Sequence, residues 1–299
     1  MTGDPIITEQ LNMRYGKHLV LDGLNLRVPR GSVYALIGSN GAGKTTTLQI
    51  LMNLQRGATG SATVLGVDSR KLGVPEYGRI GYVSEGQEMP EAMTVAEFLS
   101  FWRPFYPTWD VARERELLEH FQLPMDRKLK HLSRGMRMKA ALASSLSYRP
   151  ELIVLDEPFS GLDPLVRDEL IEELLSHAEE STILISSHDL AEIESFSSHV
   201  GFLDEGRMQF SEEMAVLSER FREIEVTVGI TSLPASLPAS WMQMQASPAV
   251  VRFVETQWDA GRTAHEVQQT FPDASGLEVR AMPLRSIFVA LAKSTRKAS

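Results

Sequence analysis

The chain has 299 residues, of which 43% are hydrophobic, a formal net charge of −9 and no cysteine. Such a length and composition are typical of a globular protein with about two domains, and the missing cysteines exclude disulfides and thiolate metal sites. The negative charge argues against a general affinity for nucleic acid or anionic lipid. No apolar run approaches the roughly 18 residues of a membrane span, and the N-terminus lacks the pattern of a signal peptide, so we expect a cytosolic protein.

Alternating apolar positions predict two antiparallel strands near the N-terminus, at residues 6 to 13 and 19 to 28. Tyr15 and Gly16 mark the turn between them. An exposed tyrosine at this place can stack on adenine when a nucleotide site follows, and stacking contributes about 1–3 kcal/mol per base. A tyrosine packed into the turn fits the local sequence equally well.

A glycine-rich loop follows an apolar strand predicted over residues 33 to 37, and a helix is predicted after it. The loop, GSNGAGKT, matches G-x-x-x-x-G-K-[ST] at every fixed position. Its glycines let successive N–H groups face a phosphate, and the helix N-terminus adds a positive dipole. We expect Lys44 to contact the β- and γ-phosphates and Thr45 to bind Mg²⁺. The residues assigned to this nucleotide site are Gly38, Ser39, Asn40, Gly41, Ala42, Gly43, Lys44, Thr45 and Thr46.

Residues 90 to 147 are predicted to be a mainly helical insert. Thr94 and Glu97 have the spacing of a capping box, and Asp110 is placed to cap a second helix. A third helix is predicted from the segment 132 to 136 through Leu146.

A run of six cations without an acid occupies residues 127 to 139 of this insert. Its local charge of +6 indicates a second anion site, for phosphate or nucleic acid, at the start of a helix. A solvated basic surface is the alternative.

Two acidic residues, Asp156 and Glu157, end a second apolar strand. They are expected at the carboxyl edge of an α/β sheet, where ligands bind. There Asp156 can hold Mg²⁺ through water and Glu157 can polarise an attacking water. His188 follows a third apolar strand and could contact a γ-phosphate from the same edge. Without the phosphate loop, two turn carboxylates and a structural histidine would be the preferred interpretation.

Asp163 and Pro164 have the pattern of a helix cap and first turn. Together with the buried strand around residues 183 to 185, this alternation of strands and helices predicts a parallel sheet flanked by helices. The composition then shifts near residues 206 to 213.

A small α+β domain without a catalytic constellation is predicted for the rest of the chain. It consists of a helix at 210–225, strands at 224–230, 241–246, 249–255 and 276–281, and helices at 263–271 and 283–293. The repeated Ser-Leu-Pro-Ala at residues 232 to 239 indicates a turn or linker.

Taken together, the motifs over roughly residues 5 to 210 resemble those of the ATP-binding cassette (ABC) ATPases. The resemblance implies an α/β P-loop NTPase cassette at residues 1–210, with a mixed-sheet core, a helical subdomain at about 90–147, and an accessory α+β domain at 211–299. The matching positions are Tyr15 (adenine-stacking aromatic), 38–45 (Walker A), Asp156 and Glu157 (Walker B and catalytic glutamate), 160–163 including Asp163 (D-loop) and His188 (switch histidine).

Two segments depart from the family pattern. The signature, usually LSGGQ, is LSRGM, in which Ser133 and Gly135 can still bind the γ-phosphate of an opposing subunit and Arg134 adds a charge. Where the family usually has Pro-Gln, this chain has Ser84-Glu85, and Glu85 could contact magnesium directly.

The resemblance further implies ATP and Mg²⁺ as cofactors, and a homodimer or heterodimer of cassettes with each ATP between one Walker loop and the opposing signature. In this reading Glu157, His188 and Lys44 are catalytic. The implied partner is a separate membrane permease, which the chain would contact through residues 85 to 120. This contact would hold the chain at the inner face of the membrane. Export is the expected direction of transport. One alternative is a soluble ABC ATPase acting on nucleic acid or ribosomes, supported only by the basic run. Another is a weakly hydrolysing, ATP-gated regulatory module, suggested by Arg134, Met136 and Glu85.

Overall fold

A computed structural model describes residues 3–229 and 236–298, with side chains through residue 291. The chain divides into two compact units, residues 1–211 and 212–299. The first unit contains ten strands and six helices of the α type among its described residues. The strands are β1 (Ile6–Tyr15), β2 (His18–Val28), β3 (Val33–Ile37), β4 (Thr59–Val64), β5 (Val67–Asp68), β6 (Ile80–Val83), β7 (Leu152–Asp156), β8 (Thr182–Ser187), β9 (His199–Asp204) and β10 (Arg207–Glu213). The helices are α1 (Lys44–Leu51), α2 (Val74–Tyr77), α3 (Val95–Trp102), α4 (Val111–His120), α5 (Arg134–Leu146) and α6 (Pro164–His177).

Six of these strands form one sheet, in the order β10-β9-β3-β8-β7-β6, and β3, β6, β7, β8 and β9 pair in parallel. Every residue of β3, β7 and β8 is buried. Each contains a run of at least three consecutive apolar residues, which fits strands of a parallel sheet that is covered on both faces. The carboxyl ends of β3, β7 and β8 therefore lie side by side, which brings together the segments that follow them.

A second sheet, in the order β2-β1-β4-β5, is antiparallel. It confirms the two predicted N-terminal strands, with Tyr15 at the end of β1. Its apolar face shares one buried cluster with residues of β3, α1 and β7.

The predicted helix caps of the insert are confirmed. Thr94 and Glu97 form a capping box at α3, and Asp110 accepts hydrogen bonds from the first turn of α4. Helix α5 begins at Arg134, where the Ser133 side chain accepts from the Met136 N–H. Short polar side chains at these positions satisfy N–H groups that have no partner within the helix.

The prediction of one helix over residues 210 to 225 is wrong. Strand β10 occupies the first part of that stretch, and only the segment Met214–Arg220 (α7) is helical. A two-residue turn, Glu205-Gly206, joins β9 to β10, and both residues have positive φ, at 46° and 78°. Turns of this kind match the twist of a hairpin, so the chain doubles back as a strand before α7 begins.

After α7, the described part of the second unit contains β11 (Arg222–Thr227), β12 (Trp241–Ala246), β13 (Val250–Glu255), α8 (Ala260–Thr270), β14 (Gly276–Ala281) and α9 (Leu284–Ala298). Its four described strands form one sheet, in the order β12-β13-β11-β14. These match the predicted strands and helices to within a few residues at each end. Ile230, predicted as the end of a strand, and the first Ser-Leu-Pro-Ala copy at 232–235 lie outside the described residues.

Candidate functional site

The glycine loop connects the end of β3 to α1 and is folded against β9. A Cβ placed on Gly38 would lie 2.3 Å from the Leu203 carbonyl oxygen, so only glycine fits there. Gly43 precedes the first turn of α1 with φ 108°, and Gly41 has φ 85°. These conformations are accessible to glycine at little cost and turn the loop around a concave surface at the start of the helix.

Two of the three groups expected to contact magnesium, Thr45 and Asp156, are in contact with each other. Thr45 Oγ1 donates a 3.1 Å hydrogen bond to Asp156 Oδ1, which joins the first turn of α1 to the end of β7. Ser186 Oγ donates to the same oxygen at 2.6 Å. Burial raises the pKa of Asp156, and the hydrogen bonds from Ser186 and Thr45 oppose that rise.

Glu157 lies between the two other residues expected to be catalytic. Its Oε1 is 3.1 Å from Lys44 Nζ, and its Oε2 is 2.7 Å from His188 Nδ1. Lys44 also donates to the Gly38 carbonyl at 2.7 Å. The hydrogen bond that the imidazole donates to the Glu157 carboxylate raises the pKa of His188. A carboxylate, an ammonium and an imidazole are thus assembled at the edge of the sheet.

The backbone of Glu157 is strained. Its φ is 49°, in the left-handed region that bulky residues avoid, and Pro158 follows it. Its N–H donates a 2.9 Å hydrogen bond to Ser186 Oγ, the same hydroxyl that binds Asp156. Ser186 therefore fixes both acidic residues, and strain held in this way is common at functional sites.

A cavity of about 430 Å³ lies over this cluster. Tyr15 lines it and is 44% exposed, so its ring is available to a ligand rather than packed in the turn. The lining contains ten of the residues predicted for the site, together with His18 and Val20, which were not predicted, and Ser160, which was expected only as part of the D-loop. The ten are Tyr15, Asn40, Gly41, Gly43, Lys44, Thr45, Thr46, Glu85, Glu157 and His188.

The remaining predicted residues do not line this cavity. Gly38, Ser39 and Ala42 belong to the loop that forms its floor, and Asp156 is buried beneath Thr45. Ser133, Gly135 and Asp163 form a separate group.

That group is held together by α6. Asp163 accepts from the Val166 N–H at 3.1 Å, and a Cβ on Gly135 would lie 2.9 Å from a methyl group of the same valine. Ser133 accepts the Met136 N–H, which leaves its own proton free to donate. The start of α5 and the start of α6 are thereby packed against each other.

Arg134 and Glu85, the two departures from the family pattern, contact each other. Arg134 Nη2 donates to Glu85 Oε1 at 2.9 Å, and the two side chains are 54% and 47% exposed. The guanidinium passes beside Gly161, where a Cβ would lie 2.9 Å from Nη1. Glu85 thus lines the cavity while it is paired with the start of α5, which sequence reasoning did not anticipate.

Half of the basic run is occupied by intramolecular contacts. Arg134 binds Glu85, Arg137 donates to the Leu129 and Lys130 carbonyls, and Lys139 pairs with Glu169. The other three members, Arg127, Lys128 and Lys130, are exposed.

Comparison with known proteins identifies the family. Residues 21–160 match the family described as ABC transporter. The bacitracin transport ATP-binding protein BcrA of Enterococcus faecalis is 32% identical over 222 residues, covering 73% of this chain and 72% of that protein. The chain belongs to the ABC transporter ATP-binding proteins.

Other relatives of this ABC protein point the same way. The Nod factor export ATP-binding protein I of Burkholderia pseudomallei (strain 1710b) is 38% identical over 215 residues, covering 69% of this chain and 70% of that protein. A solved structure of the ATP-binding subunit of an ABC transporter is 28% identical, with a TM-score of 0.65, and covers 72% of this chain and 92% of that one. A bacterial ABC transporter cassette solved as a dimer shares the fold, with a TM-score of 0.64 at 21% identity and coverage of 70% and 98%.

The cassette fold is thus shown, as predicted, and the chain is an ABC ATPase by family. In the described part of the chain, no helix is both long and apolar enough to cross a membrane.

Proposed function

We propose that this chain binds Mg²⁺ and ATP, hydrolyses ATP between two cassettes and thereby drives a separate permease that exports its substrate. The observation that carries the proposal is the position of Glu157, whose carboxylate lies between Lys44 and His188 on the lining of the cavity over the glycine loop.

The proposed binding step uses the phosphate loop. Lys44 is buried, and its Nζ is held by the Gly38 carbonyl and Glu157. An incoming triphosphate offers this ammonium a partner with more negative charge than one carboxylate. Transfer of Lys44 to the phosphates would release one oxygen of Glu157, so the carboxylate becomes available when substrate is present. Tyr15 supplies an exposed ring at the cavity lining for the base.

Thr45 and Asp156 fit a magnesium ion. Magnesium prefers oxygen ligands and is usually held by one or two carboxylates together with substrate phosphates and water. The described residues contain no group of three or more His, Asp or Glu side chains that could hold a metal without substrate, which agrees with a site completed by phosphate oxygens. When bound, the ion would neutralise charge on the transferring phosphoryl group.

Hydrolysis needs a water in line with the γ-phosphorus. Glu157 would accept a proton from this water. The water oxygen attacks the γ-phosphorus, and the bond between that phosphorus and the leaving oxygen of ADP breaks. Lys44 and the imidazolium form of His188 would stabilise the negative charge of the transferring group. Because Ser186 and the strained backbone fix Glu157, its carboxylate needs little rearrangement to act.

The cassette dimer is proposed from the second group of residues. Ser133, Gly135 and Asp163 lie together but do not line the cavity of their own subunit. The Ser133 hydroxyl, at the start of α5, has a proton to donate. It is therefore suited to bind a phosphate of the ATP that a second copy holds in its own cavity. A cassette of the same fold has been solved as a dimer, which supports association of two copies.

The proposed permease contact is aromatic. A cavity of about 230 Å³ is lined by aromatic side chains that include Tyr77, Trp102 and Tyr106, and Phe101 and Phe105 are exposed beside Trp102. Exposed aromatic groups of this kind mark protein interaction sites. We assign this aromatic surface to the binding of a cytoplasmic helix of the permease. That contact would hold the chain at the inner face of the membrane. Export is proposed because a relative of this chain is named for Nod factor export.

Two measurements test the proposal. Purified protein should release phosphate from ATP in the presence of Mg²⁺, and a membrane protein should co-purify with the tagged wild-type chain. Phe101→Ser together with Phe105→Ser should abolish co-purification without reducing basal phosphate release. If the wild-type chain releases no phosphate, alone or with the permease, the assignment of hydrolysis is wrong.

A further inference from the structure

Strand β14 lies at one edge of the sheet in the unit 212–299, and all six of its residues are exposed. Edge strands present unpaired backbone groups, and proteins commonly block them with bulges, prolines or like charges. Among the residues that the structure describes, β14 pairs only with β11, and the two run antiparallel in unbroken register. Its sequence, GLEVRA, contains no proline and one charge of each sign.

The direction of the backbone groups follows from the hydrogen bonds at the end of β11. Val228 donates to Ala249, on the side of β13, and Thr227 accepts from Ser275, on the side of β14. Successive residues of a strand point their backbone groups to opposite sides. Odd-numbered residues of β11 therefore face β14, where they are opposite even-numbered residues such as Glu278. The N–H and C=O groups at the outer edge belong to Leu277, Val279 and Ala281.

The two faces of β14 differ. Val279 is opposite Ile224 and Leu277 is opposite Val226, so both lie on the apolar face of the sheet. Ile224 and Val226 are fully buried, but Leu277 and Val279 are each 39% exposed. The apolar face thus continues past the part of the sheet that is covered.

The polar face carries Glu278 and Arg280. Arg280 donates to Glu278 at 2.7 Å within the strand and lies 3.9 Å from Glu225, which also pairs with Arg252. The side chains of Glu278 and Arg280 are 65% and 54% exposed. Such exposed pairs contribute little and exchange partners at low cost.

We propose that β14 of one copy pairs antiparallel with β14 of a second copy, about a two-fold axis through Val279. In this register each Glu278 is opposite Arg280 of the other copy, which gives two ion pairs on the polar face. Val279 meets its own counterpart, and Leu277 meets Ala281 of the other copy on the apolar face. The three outward residues of each strand exchange six backbone hydrogen bonds. Shifting the register by two residues removes both Glu–Arg pairs, so the charges select this alignment.

This contact is too small to hold a dimer alone. Six residues a side cover far less than the roughly 1,200 Å² of total surface that a stable interface buries. The inference therefore rests on the proposed ATP-dependent cassette dimer, which would bring two strands to a high effective concentration. The pairing then adds avidity to that dimer through a surface remote in sequence from the nucleotide motifs.

The chain has no cysteine, so a single substitution gives one thiol per copy. In the proposed register the two residues 279 have Cα atoms about 5.5 Å apart, within the range of a disulfide. Val279→Cys should form a disulfide-linked dimer under mild oxidation. Leu277→Cys is the matched control, because Leu277 is equally exposed on the same face but its counterpart would lie about 13 Å away along the strands. We expect at least a tenfold higher dimer yield for position 279.

Charge variants in the Val279→Cys background give the second measurement. Glu278→Arg or Arg280→Glu alone places like charges opposite each other and should reduce the yield severalfold, and the double exchange should restore it. Equal yields at positions 277 and 279, or a double exchange that fails to restore cross-linking, would overturn the pairing.

The cross-linking is also done with Glu157→Gln and ATP, and the cassette dimer is followed separately by gel filtration. ATP should increase the yield at position 279 severalfold. An ATP-dependent dimer without the cross-link refutes the strand pairing and leaves the proposed function intact. Cross-linking without any ATP-dependent dimer instead refutes the proposed cassette dimer and the avidity assigned to it.

Discussion

Replacing Glu157 by glutamine tests the centre of the proposed site. Glutamine has nearly the same shape and can still accept from Lys44 and His188, but it loses the negative charge and the ability to take a proton. A positioned general base typically contributes about 10²–10⁴ in rate, which corresponds to about 3–5 kcal/mol of activation free energy. We expect turnover to fall by that factor.

Binding of ATP should respond in the opposite direction. In the wild-type protein Lys44 Nζ lies 3.1 Å from the Glu157 carboxylate, and both side chains are almost fully buried. An amide attracts the ammonium less strongly than a carboxylate does. ATP should therefore bind Glu157→Gln at least as tightly as the wild type, and the unhydrolysed nucleotide should trap a dimer.

The assays are steady phosphate release, equilibrium binding of a fluorescent ATP analogue, and gel filtration with Mg²⁺ and ATP. Glu173→Gln is the matched control, because Glu173 is also buried and also pairs with a cation, Arg113, but does not line the cavity. It should lose stability and keep turnover per folded molecule. Full turnover in Glu157→Gln would refute the role of Glu157 as the base.

Three further outcomes follow from the site. Tyr15→Ala should raise KM for ATP roughly 5- to 150-fold with little change in kcat. The reason is that stacking of about 1–3 kcal/mol adds affinity without a transition-state interaction. An unchanged KM would show that Tyr15 does not belong to the site. Ser186→Ala should lower kcat roughly 10- to 100-fold and change KM less, since hydrogen bonds to charged groups contribute about 1.5–3 kcal/mol. Steady-state kinetics measures both constants. A kcat equal to that of the wild type would contradict the positioning role of Ser186. The pKa of His188 is raised above 6.5 in the folded protein, so its contribution to stability is complete below about pH 6.5 and is lost as pH rises through the raised value. Urea unfolding should accordingly show the largest difference between wild type and His188→Asn at about pH 6, with a decrease toward pH 8; a difference independent of pH would refute this linkage.

The locally encoded parts of the fold were predictable. The caps at Thr94, Asp110 and Asp163 were confirmed because each is a contact between a side chain and backbone groups two or three residues away. The hairpin at Glu205 and Gly206 was missed because the apolar residues that follow it fit a helix as well as a strand when only their spacing is read.

Contacts between distant segments were not predictable in the same way. The hydroxyl of Ser186 binds Asp156 and the backbone of Glu157 across 30 and 29 residues of sequence. Arg134 reaches Glu85 across 49 residues. Neither contact follows from spacing in the sequence, because strand order and the packing of loops at the sheet edge decide both.

The sequence by itself determined the family, the phosphate loop and the types of residue at the proposed catalytic centre, because glycines, lysine and acidic residues in fixed local order are needed to fold around a phosphate. Tertiary structure alone decided that Lys44, Glu157 and His188 lie within hydrogen-bonding distance, and that Ser133 and Gly135 lie outside their cavity. It also decided that β14 is an exposed edge. The physical reason is that a parallel sheet aligns the ends of strands that are far apart in the chain, and which strand becomes an edge depends on the packing of the whole sheet.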